Sequence, residues 1–340
     1  MIPVIDMHCD TISSILNSRI KGKECSLRSN SGHLDLMRMK KAGYMCQNLA
    51  MFTMVKHWNK DESDPWNERY ESPYDYALAL SDTFDREVEI NSDLILPACS
   101  GTEIEQNFSL GKMSALKTIE EGAVYSGLIE RLKQMYDRGV RMTTLTWNFE
   151  NELAFPNRIN MKTGESVPET EKGLKSAGRD FVKVCSELGI IVDVSHLGDA
   201  GILEILDIMD RDIPIVASHS NARAVTPHPR NLTDDMIRRI ADRGGVCGIN
   251  FCADFINDRH DNCMKAADAA RHIRYMADIA GEEAIGLGSD FDGIGNAVEF
   301  GTCEGMQRFA QALEDEGISG ELIEKVFYKN VLRVYKDILG

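Results

Sequence analysis

Five short apolar segments of this chain each end in residues that can bind a metal ion. None has a helical period, and each has the length of a buried parallel strand. They are residues 4–10, 116–120, 190–196, 213–219 and 284–290. Parallel strands share one carboxyl edge, where three histidines and three carboxylates should converge: His8, Asp10, Glu120, His196, His219 and Asp290. A metal-binding cluster on that face of a β/α barrel is typical of hydrolases.

His8 and Asp10 form the first candidate pair. Side chains at i and i+2 of an extended strand lie on one face, so these two residues can bind one divalent ion. The same spacing recurs in His33 and Asp35, which follow a polar segment and precede an apolar helical face. We interpret this second pair as the start of a helix rather than as metal ligands.

The other candidates are single residues at strand ends. His196 and His219 each close an apolar strand and each follow a serine, a shared context that favours metal ligands over core histidines. Glu120 closes another strand, where a buried carboxylate needs a strong partner. That partner is either a pair of metal ions bridged by Glu120 or a salt bridge to Arg141 or Lys117.

Asp290 lies in a segment with glycine on both sides, Gly288 to Gly293. Such glycines indicate tight backbone near a ligand. We expect Asp290 at the strand tip and Asp292 in a turn.

Three further strand candidates bring the set to eight: residues 43–52, 139–147 and 244–251. Helical patterns separate the strands, with apolar residues about 3.6 positions apart, in residues 126–138, 172–188, 199–211, 234–242 and 266–280. This alternation allows a closed barrel or a doubly wound sheet. An open sheet has its site at one switch point, whereas these reactive residues extend from the first strand to the last. We therefore predict an α/β fold, a (β/α)8 TIM-type barrel, as one domain over residues 1–340 with loop insertions.

Two insertions and a C-terminal segment complete the predicted architecture. Residues 55–73 are polar and aromatic, with Trp58 and Trp66, and are expected to leave the barrel after the second strand. Residues 157–171 predict a second loop. Residues 319–339 predict one or two amphipathic helices that pack on the barrel.

Composition excludes several classes of protein. The chain has 340 residues and 43% hydrophobic composition, enough for a sizeable core. Its formal net charge of −16 argues against nucleic acid and anionic membranes as partners. The nine cysteines include no C-x-x-C pair and are expected to be reduced. The sequence shows no signal peptide and no membrane-spanning stretch, so we expect a soluble, cytoplasmic protein.

Together these motifs resemble the membrane (renal) dipeptidase family, binuclear zinc peptidases with an amidohydrolase-like barrel. The resemblance extends almost from end to end, and the ordered set is specific although no single motif is. The motifs are DMHCDT at 6–11, IE at 119–120, VDVSH at 192–196, SHS at 218–220, HPRN at 228–231, GSDFDG at 288–293 and NVLRV at 330–334.

The resemblance implies two Zn²⁺ ions in one site, although such ligands also accept other divalent ions such as manganese or cobalt. Its ligands are implied to be His8 and Asp10 for one ion, His196 and His219 for the other, and Glu120 as the bridge. Glu121 stands where the family usually has glycine. The distance to the next strand favours Glu120 over Glu121 as the bridging residue.

The resemblance also implies how the substrate is held. Arg230 is implied to bind the terminal carboxylate, for which a bidentate guanidinium is suited. Asp290 is implied to meet the amino group, so that the two residues together select a short zwitterion, a dipeptide. A homodimer is a further expectation from the family.

Trp147 is the main departure from the family pattern. Better-known members have a histidine there, which helps to stabilise the tetrahedral intermediate. An indole N–H donates one hydrogen bond but cannot become cationic. Either Trp147 shares this role with Asn148 or Asn151 at the substrate, or the pH profile or substrate differs.

The expected reaction is hydrolysis of dipeptides, including those with D-residues, by a hydroxide that bridges the metals. Coordination lowers the pKa of water from about 15.7 towards about 7. Asp290 is expected to accept a proton and pass it to the leaving amine. Two alternatives stay open: an amidohydrolase acting on a β-lactam, lactone or N-acyl amino acid, and a metal-binding homologue with weak or no catalysis. Many enzymes of the first kind use a carboxylated lysine as the bridge, and Glu120 counts against them.

Overall fold

A closed sheet of eight parallel strands forms the centre of the molecule. The structure, a computed structural model, describes residues 1–55, 69–160, 163, 165–259 and 261–340. The barrel strands are β1 Val4–Asp6, β2 Tyr44–Phe52, β3 Met113–Glu120, β4 Val140–Thr144, β5 Ile191–Asp193, β6 Val216–Ala217, β7 Val246–Ile249 and β8 Ile285–Leu287. Each pairs with the next in chain order, and β8 pairs with β1. The predicted (β/α)8 barrel is confirmed.

The barrel strands are shorter than predicted, and this changes where the candidate ligands lie. Only Glu120 is within its strand; His8, for example, lies beyond the end of β1. His196 and Asp290 have positive φ angles of 68° and 62°, which end the extended conformation. The candidate site is therefore built mainly from the first turns after the strands.

Thirteen α-helices occur in the described residues. They are α1 Thr11–Ile20, α2 Leu36–Ala42, α3 Pro73–Ile90, α4 Gly101–Ser109, α5 Ile129–Asp137, α6 Ser176–Leu188, α7 Asp199–Ile208, α8 Asp234–Ala241, α9 Ala253–Ile256, α10 Ala266–Ala280, α11 Met306–Asp315, α12 Gly320–Glu324 and α13 Asn330–Leu339. The five predicted helical segments are confirmed as α5, α6, α7, α8 and α10. Asp35 caps α2, since its side chain accepts a bond from the backbone N–H of Arg38, so His33 and Asp35 do start a helix.

Short strands outside the barrel were not predicted. Ile95–Pro97 pairs with the start of β3. Arg158–Ile159 and Ser166–Val167 form an antiparallel hairpin, so the segment 157–171 is not the plain loop expected. Cys263–Met264 pairs with Ala297–Val298. The aromatic excursion predicted with Trp58 and Trp66 lies mostly outside the described residues.

The interior of the barrel is filled at the end opposite the candidate site. The C-terminal segment, with a π-helical turn at Lys325–Lys329 before α13, packs Val331 and Tyr335 against Met7, Leu116 and other strand residues. Asn48 on β2 donates a hydrogen bond to the hydroxyl of Tyr335 over 2.7 Å. Only the carboxyl end of the strands is thus left for a site. All nine cysteines are free, and no helix in the described ranges is long and apolar enough to cross a membrane.

Candidate metal centre

Glu120 lies at the middle of a buried cluster of histidines. Its Oε1 is 3.0 Å from His196 Nε2 and 3.7 Å from His219 Nε2. Its Oε2 is 3.5 Å from His8 Nε2, which lies 3.5 Å from Asp10 Oδ2. The two carboxylate oxygens therefore face different histidines, as a carboxylate between two cations would have to.

Asp290 completes the cluster on the side of His8. Ligand atoms of His8, Asp10 and Asp290 all lie within 4.8 Å of one another. Asn250 Nδ2 donates to Asp290 Oδ2 over 3.1 Å. The six residues expected from the sequence thus meet at one place, although they come from the ends of five different strands or the turns after them.

The salt-bridge alternatives for Glu120 find no support. Lys117 pairs with Asp85 at 2.7 Å, and Arg141 donates to the carbonyls of Tyr136 and Val140. In the described part of the chain, the ion pairs of Glu120 are with histidines alone.

Glu121 is turned away from the cluster. It has a φ of 87°, a conformation that favours glycine. Its Oε1 accepts hydrogen bonds from the backbone N–H of Ala123 over 3.0 Å and from Asn151 Nδ2 over 2.9 Å. Glu120 rather than Glu121 therefore faces the three histidines.

The proton positions on two histidines show that the cluster suits a cation. Ser218 Oγ donates to Asp193 Oδ2 over 2.5 Å, so it accepts from His219 Nδ1 at 2.6 Å. His196 Nδ1 likewise donates to Asn148 Oδ1 over 2.8 Å. Both Nε2 atoms then carry lone pairs, yet they face each other at 2.9 Å. A bound cation relieves that repulsion.

Two buried polar atoms of the cluster have no hydrogen-bond partner in the described part of the chain, and they add to this fit. They are His8 Nε2 and Asp10 Oδ1. Buried polar atoms are nearly always satisfied by protein, water or an ion. Imidazole nitrogens with carboxylate oxygens form a donor set that suits zinc and other divalent transition metals. The residues present therefore fit a metal centre.

Burial and neighbouring charges shift the pKa values in the cluster. Burial lowers the pKa of His196 to about 4 and that of His219 well below its usual value, so both imidazoles are neutral ligands. Burial is also the largest single effect on His8 and lowers its pKa, but the charges and hydrogen bonds of Glu120 and Asp10 together outweigh burial and raise the pKa of His8. Burial raises the pKa of Asp290 to about 7. Asp290 can thus exchange a proton near neutrality.

Two aspartates hold the turns that carry the candidate ligands, and this role was not predicted from the sequence. Asp193, at the end of β5, accepts bonds from the backbone N–H groups of Ser195 and Ser218. Asp6, at the end of β1, accepts from the hydroxyl of Ser289 over 2.5 Å and from its N–H over 2.8 Å. The available signal was an acidic residue inside an otherwise apolar strand.

Arg230 is buried beside this cluster and has no carboxylate partner among the residues that the structure describes. Its side chain is only 3% exposed, and Nε has no hydrogen-bond partner. Nη1 and Nη2 make long contacts to Ser220 Oγ at 3.4 Å and the His219 carbonyl at 3.5 Å. Burial lowers its pKa. A buried guanidinium without an ion pair is costly, so Arg230 is suited to receive an anionic group.

A cavity of about 370 Å³ opens over the cluster. Asp10, Glu120, His196 and Asp290 line its floor, and Phe52, Trp147, Asn148 and Phe255 are among its walls. The Trp147 ring lies 5.0 Å from that of Phe52 and 6.0 Å from that of His196. Trp147 therefore lines the cavity over the cluster, and its contact with a substrate stays a prediction.

Asn151 does not reach the cavity, which corrects the expectation that it contacts the substrate. Its Nδ2 donates to Glu121 Oε1 and to the carbonyl of Leu145, the latter over 2.8 Å. Its Oδ1 accepts from the N–H groups of Leu153 and Ala154. With every polar atom engaged, Asn151 fixes the loop after β4.

Fold and site together define a (β/α)8 barrel of the metal-dependent hydrolase class. The model of the membrane dipeptidase family, peptidase family M19, matches residues 1–339. The chain therefore belongs to this family of metallodipeptidases, and the resemblance seen in its motifs is confirmed.

Individual relatives agree with the family match. The chain is 31% identical to dipeptidase aclJ of Aspergillus oryzae over 314 residues, 90% of this chain and 70% of that protein. It is 30% identical to dipeptidase C965.12 of Schizosaccharomyces pombe over 317 residues, 90% of this chain and 72% of the relative. A crystal structure of a metallopeptidase from Rhodobacter sphaeroides, liganded with a phosphinate mimic of the dipeptide L-Ala-D-Ala, matches with a TM-score of 0.87. Its identity is 25%, and the match covers 99% of each chain.

Proposed function

We propose that this chain hydrolyses dipeptides at a centre of two divalent metal ions, with Zn²⁺ as the native metal. The observation that carries the proposal is the placement of Arg230, a buried cation with no ion-pair partner among the described residues, next to neutral histidines whose Nε2 atoms face Glu120. An anion would stabilise the buried guanidinium of Arg230, and a cation would stabilise the histidine Nε2 atoms beside Glu120. A dipeptide and metal ions supply both.

The geometry supports a specific set of residues that would hold the metals. His8 and Asp10 would bind one ion, His196 and His219 the other, and Glu120 both, because its two oxygens face different histidines. When bound, the metals polarise the substrate carbonyl and lower the pKa of water, so that hydroxide is available near neutral pH.

The protein's own residues would position the substrate and move protons. Arg230 would bind the terminal carboxylate through paired N–H donors. Asp290, whose pKa burial raises in the metal-free cluster, would face the amino end, take a proton from the attacking water and give it to the leaving amine. Arg230 and Asp290 together would select the substrate by its length and so exclude longer peptides.

The relatives guide the choice of substrate. One solved relative carries a mimic of L-Ala-D-Ala, so a test panel should contain dipeptides with L- and D-residues at the C-terminal position. Turnover is expected with added Zn²⁺ and is expected to disappear with a chelator. If the metal-loaded protein hydrolysed no dipeptide of a broad panel, the proposal would be abandoned.

Selection of the substrate by length is tested by removing the guanidinium of Arg230. Arg230→Ala should lower kcat/KM for dipeptides by about 10²-fold or more, since a desolvated charged pair is worth about 3 kcal/mol or more. It should affect C-terminal dipeptide amides little. Arg158→Ala is the matched control, because Arg158 is exposed and pairs loosely with Glu169 at 3.6 Å. Equal losses of kcat/KM for dipeptides and for their amides would contradict the binding of the terminal carboxylate by Arg230.

We also propose that the chain forms one domain, that it is cytoplasmic and that it assembles as a homodimer. The free cysteines support a reducing, cytoplasmic location, which imaging of a tagged chain would test. The homodimer stays a prediction for sedimentation measurements.

A further inference from the structure

Asn148 combines a bond to one histidine with an unused amide group. Its Oδ1 accepts the Nδ1–H of His196 over 2.8 Å. It also lines the cavity over the cluster, as Trp147 and His196 do. Its Nδ2 donates to no atom in the described part of the chain, and that atom is not among the buried atoms lacking partners. The NH₂ group is therefore accessible on a residue that lines the cavity.

Neighbouring residues leave Asn148 as the best neutral donor at this place. Asn151 has both amide hydrogens engaged within the loop. Trp147 offers one N–H on a large ring held among Phe52 and Phe149. The Asn148 amide is held at its oxygen, so its NH₂ is fixed in orientation by a residue of the cluster itself.

We propose that Asn148 has two roles in the reaction, a proposal that rests on the function above. Its Oδ1 orients His196, selecting the tautomer with the proton on Nδ1 and leaving Nε2 for the metal. Its Nδ2 donates to the substrate carbonyl oxygen as that oxygen becomes negative.

The donated bond strengthens as charge develops. Water oxygen forms a bond to the peptide carbon, and the carbonyl π electrons move to oxygen as the proton of the water leaves to Asp290. Collapse restores the carbonyl and breaks the C–N bond, and the amine nitrogen takes that proton. A preorganised neutral amide donor at such an oxygen contributes about 10²–10³-fold to kcat.

Two substitutions separate the roles. Asn148→Asp keeps an acceptor for His196 Nδ1–H but removes the NH₂ donor, so metal affinity should stay within about threefold while kcat falls about 10²-fold. Asn148→Ala removes both, so kcat should fall and metal affinity should also fall about 10–100-fold. Affinity is measured without substrate, by competition for Zn²⁺ with a coloured chelator.

A tetrahedral inhibitor distinguishes the donor role from a purely structural effect. A phosphinate dipeptide analogue should lose affinity in Asn148→Ala by a larger factor than KM for the dipeptide rises, because the bond is strongest to the tetrahedral oxygen. Glu150→Gln, on the same loop but paired with Lys175, is the control and should behave as wild type. Unfolding midpoints confirm that the variants are folded.

Each role has an outcome that overturns it. Unchanged metal affinity in Asn148→Ala removes the orienting role. A kcat of Asn148→Asp within about threefold of wild type, at equal metal content, removes the donor role. If the wild-type protein hydrolyses no dipeptide, the proposed function and the donor role fail together, while the metal titration still decides the orienting role.

Discussion

At the scale of single residues, the site depends on which nitrogen of each histidine carries its proton. Ser218 and Asn148 each accept an Nδ1–H and so present the opposite nitrogen of His219 and His196 to Glu120. None of these bonds is visible in the sequence, because strand–helix alternation gives the position of a residue and not the direction of its hydrogen bonds. The histidines could be predicted, and their partners could not.

Glu121 should make the stability of the metal-free protein depend on pH. Burial raises its pKa from 4.5 to about 7. The folded state thus binds this proton more tightly than the unfolded state does. The resulting stabilisation is complete below pH 4.5 and is lost as the pH rises through about 7. The loss is about 3 kcal/mol, since one pKa unit corresponds to about 1.4 kcal/mol.

Glu121→Gln retains Oε1 for Ala123 and Asn151 but cannot ionise in this range. Urea unfolding of metal-free protein at about pH 5 and pH 8 should show a smaller decrease in the variant than in wild type. Glu150→Gln makes the same change at an exposed position and should leave the decrease as it is. The same pH dependence in wild type and Glu121→Gln would contradict the assignment.

At the scale of elements, the sequence predicts a helix best where one face of the helix is buried and the other is exposed. Residues 266–280 were predicted as a helix with the bounds that α10 has, because one apolar face repeats over four turns. The ends of β1, β5 and β8 were placed too late. Those ends depend on backbone turns, such as the turn at His196, which has a positive φ. Because His196 is not a glycine, the sequence does not indicate that turn.

Strands β6 to β8 approach closely at the floor of the site. A Cβ added at Gly288 would overlap the carbonyl oxygen of Ser218, and one added at Gly248 would meet the same atom. Gly288→Ala should therefore lower the free energy of unfolding by about 3 kcal/mol or more, because a backbone oxygen cannot move aside cheaply.

Gly320→Ala provides the matched comparison. A Cβ at Gly320, at the start of α12, meets no atom within 4 Å, so its unfolding free energy should stay the same or rise slightly. Chemical denaturation measures both variants. A Gly288→Ala protein as stable as Gly320→Ala would mean that the strands are farther apart than described.

At the scale of the whole molecule, charge should influence which dipeptides are captured. The formal net charge of the chain is −16. At low ionic strength, kcat/KM should be several-fold higher for dipeptides with a lysine side chain than for those with a glutamate. Added salt should reduce the difference by screening. A ratio that does not change with salt would place this preference in direct contacts instead.

We also propose that residues 1–340 form a single domain, because β1 and β8 pair and so close the barrel. Neither half of the chain has a complete sheet. Limited proteolysis should therefore release no stable half-molecule. A resistant fragment that folded alone after purification would show that the chain contains two units.

The pairing of β1 with β8 also has a consequence for biosynthesis. β1 leaves the ribosome before the other barrel strands, but its partner β8 is the last of these strands to emerge, and the helix α13, which fills the end of the barrel opposite the site, follows β8. During that interval β1 presents an unpaired apolar edge, the kind of surface that aggregates or recruits chaperones. Slow synthesis of the segment between β7 and α13 should therefore lower the yield of folded protein more than slow synthesis after α13 begins.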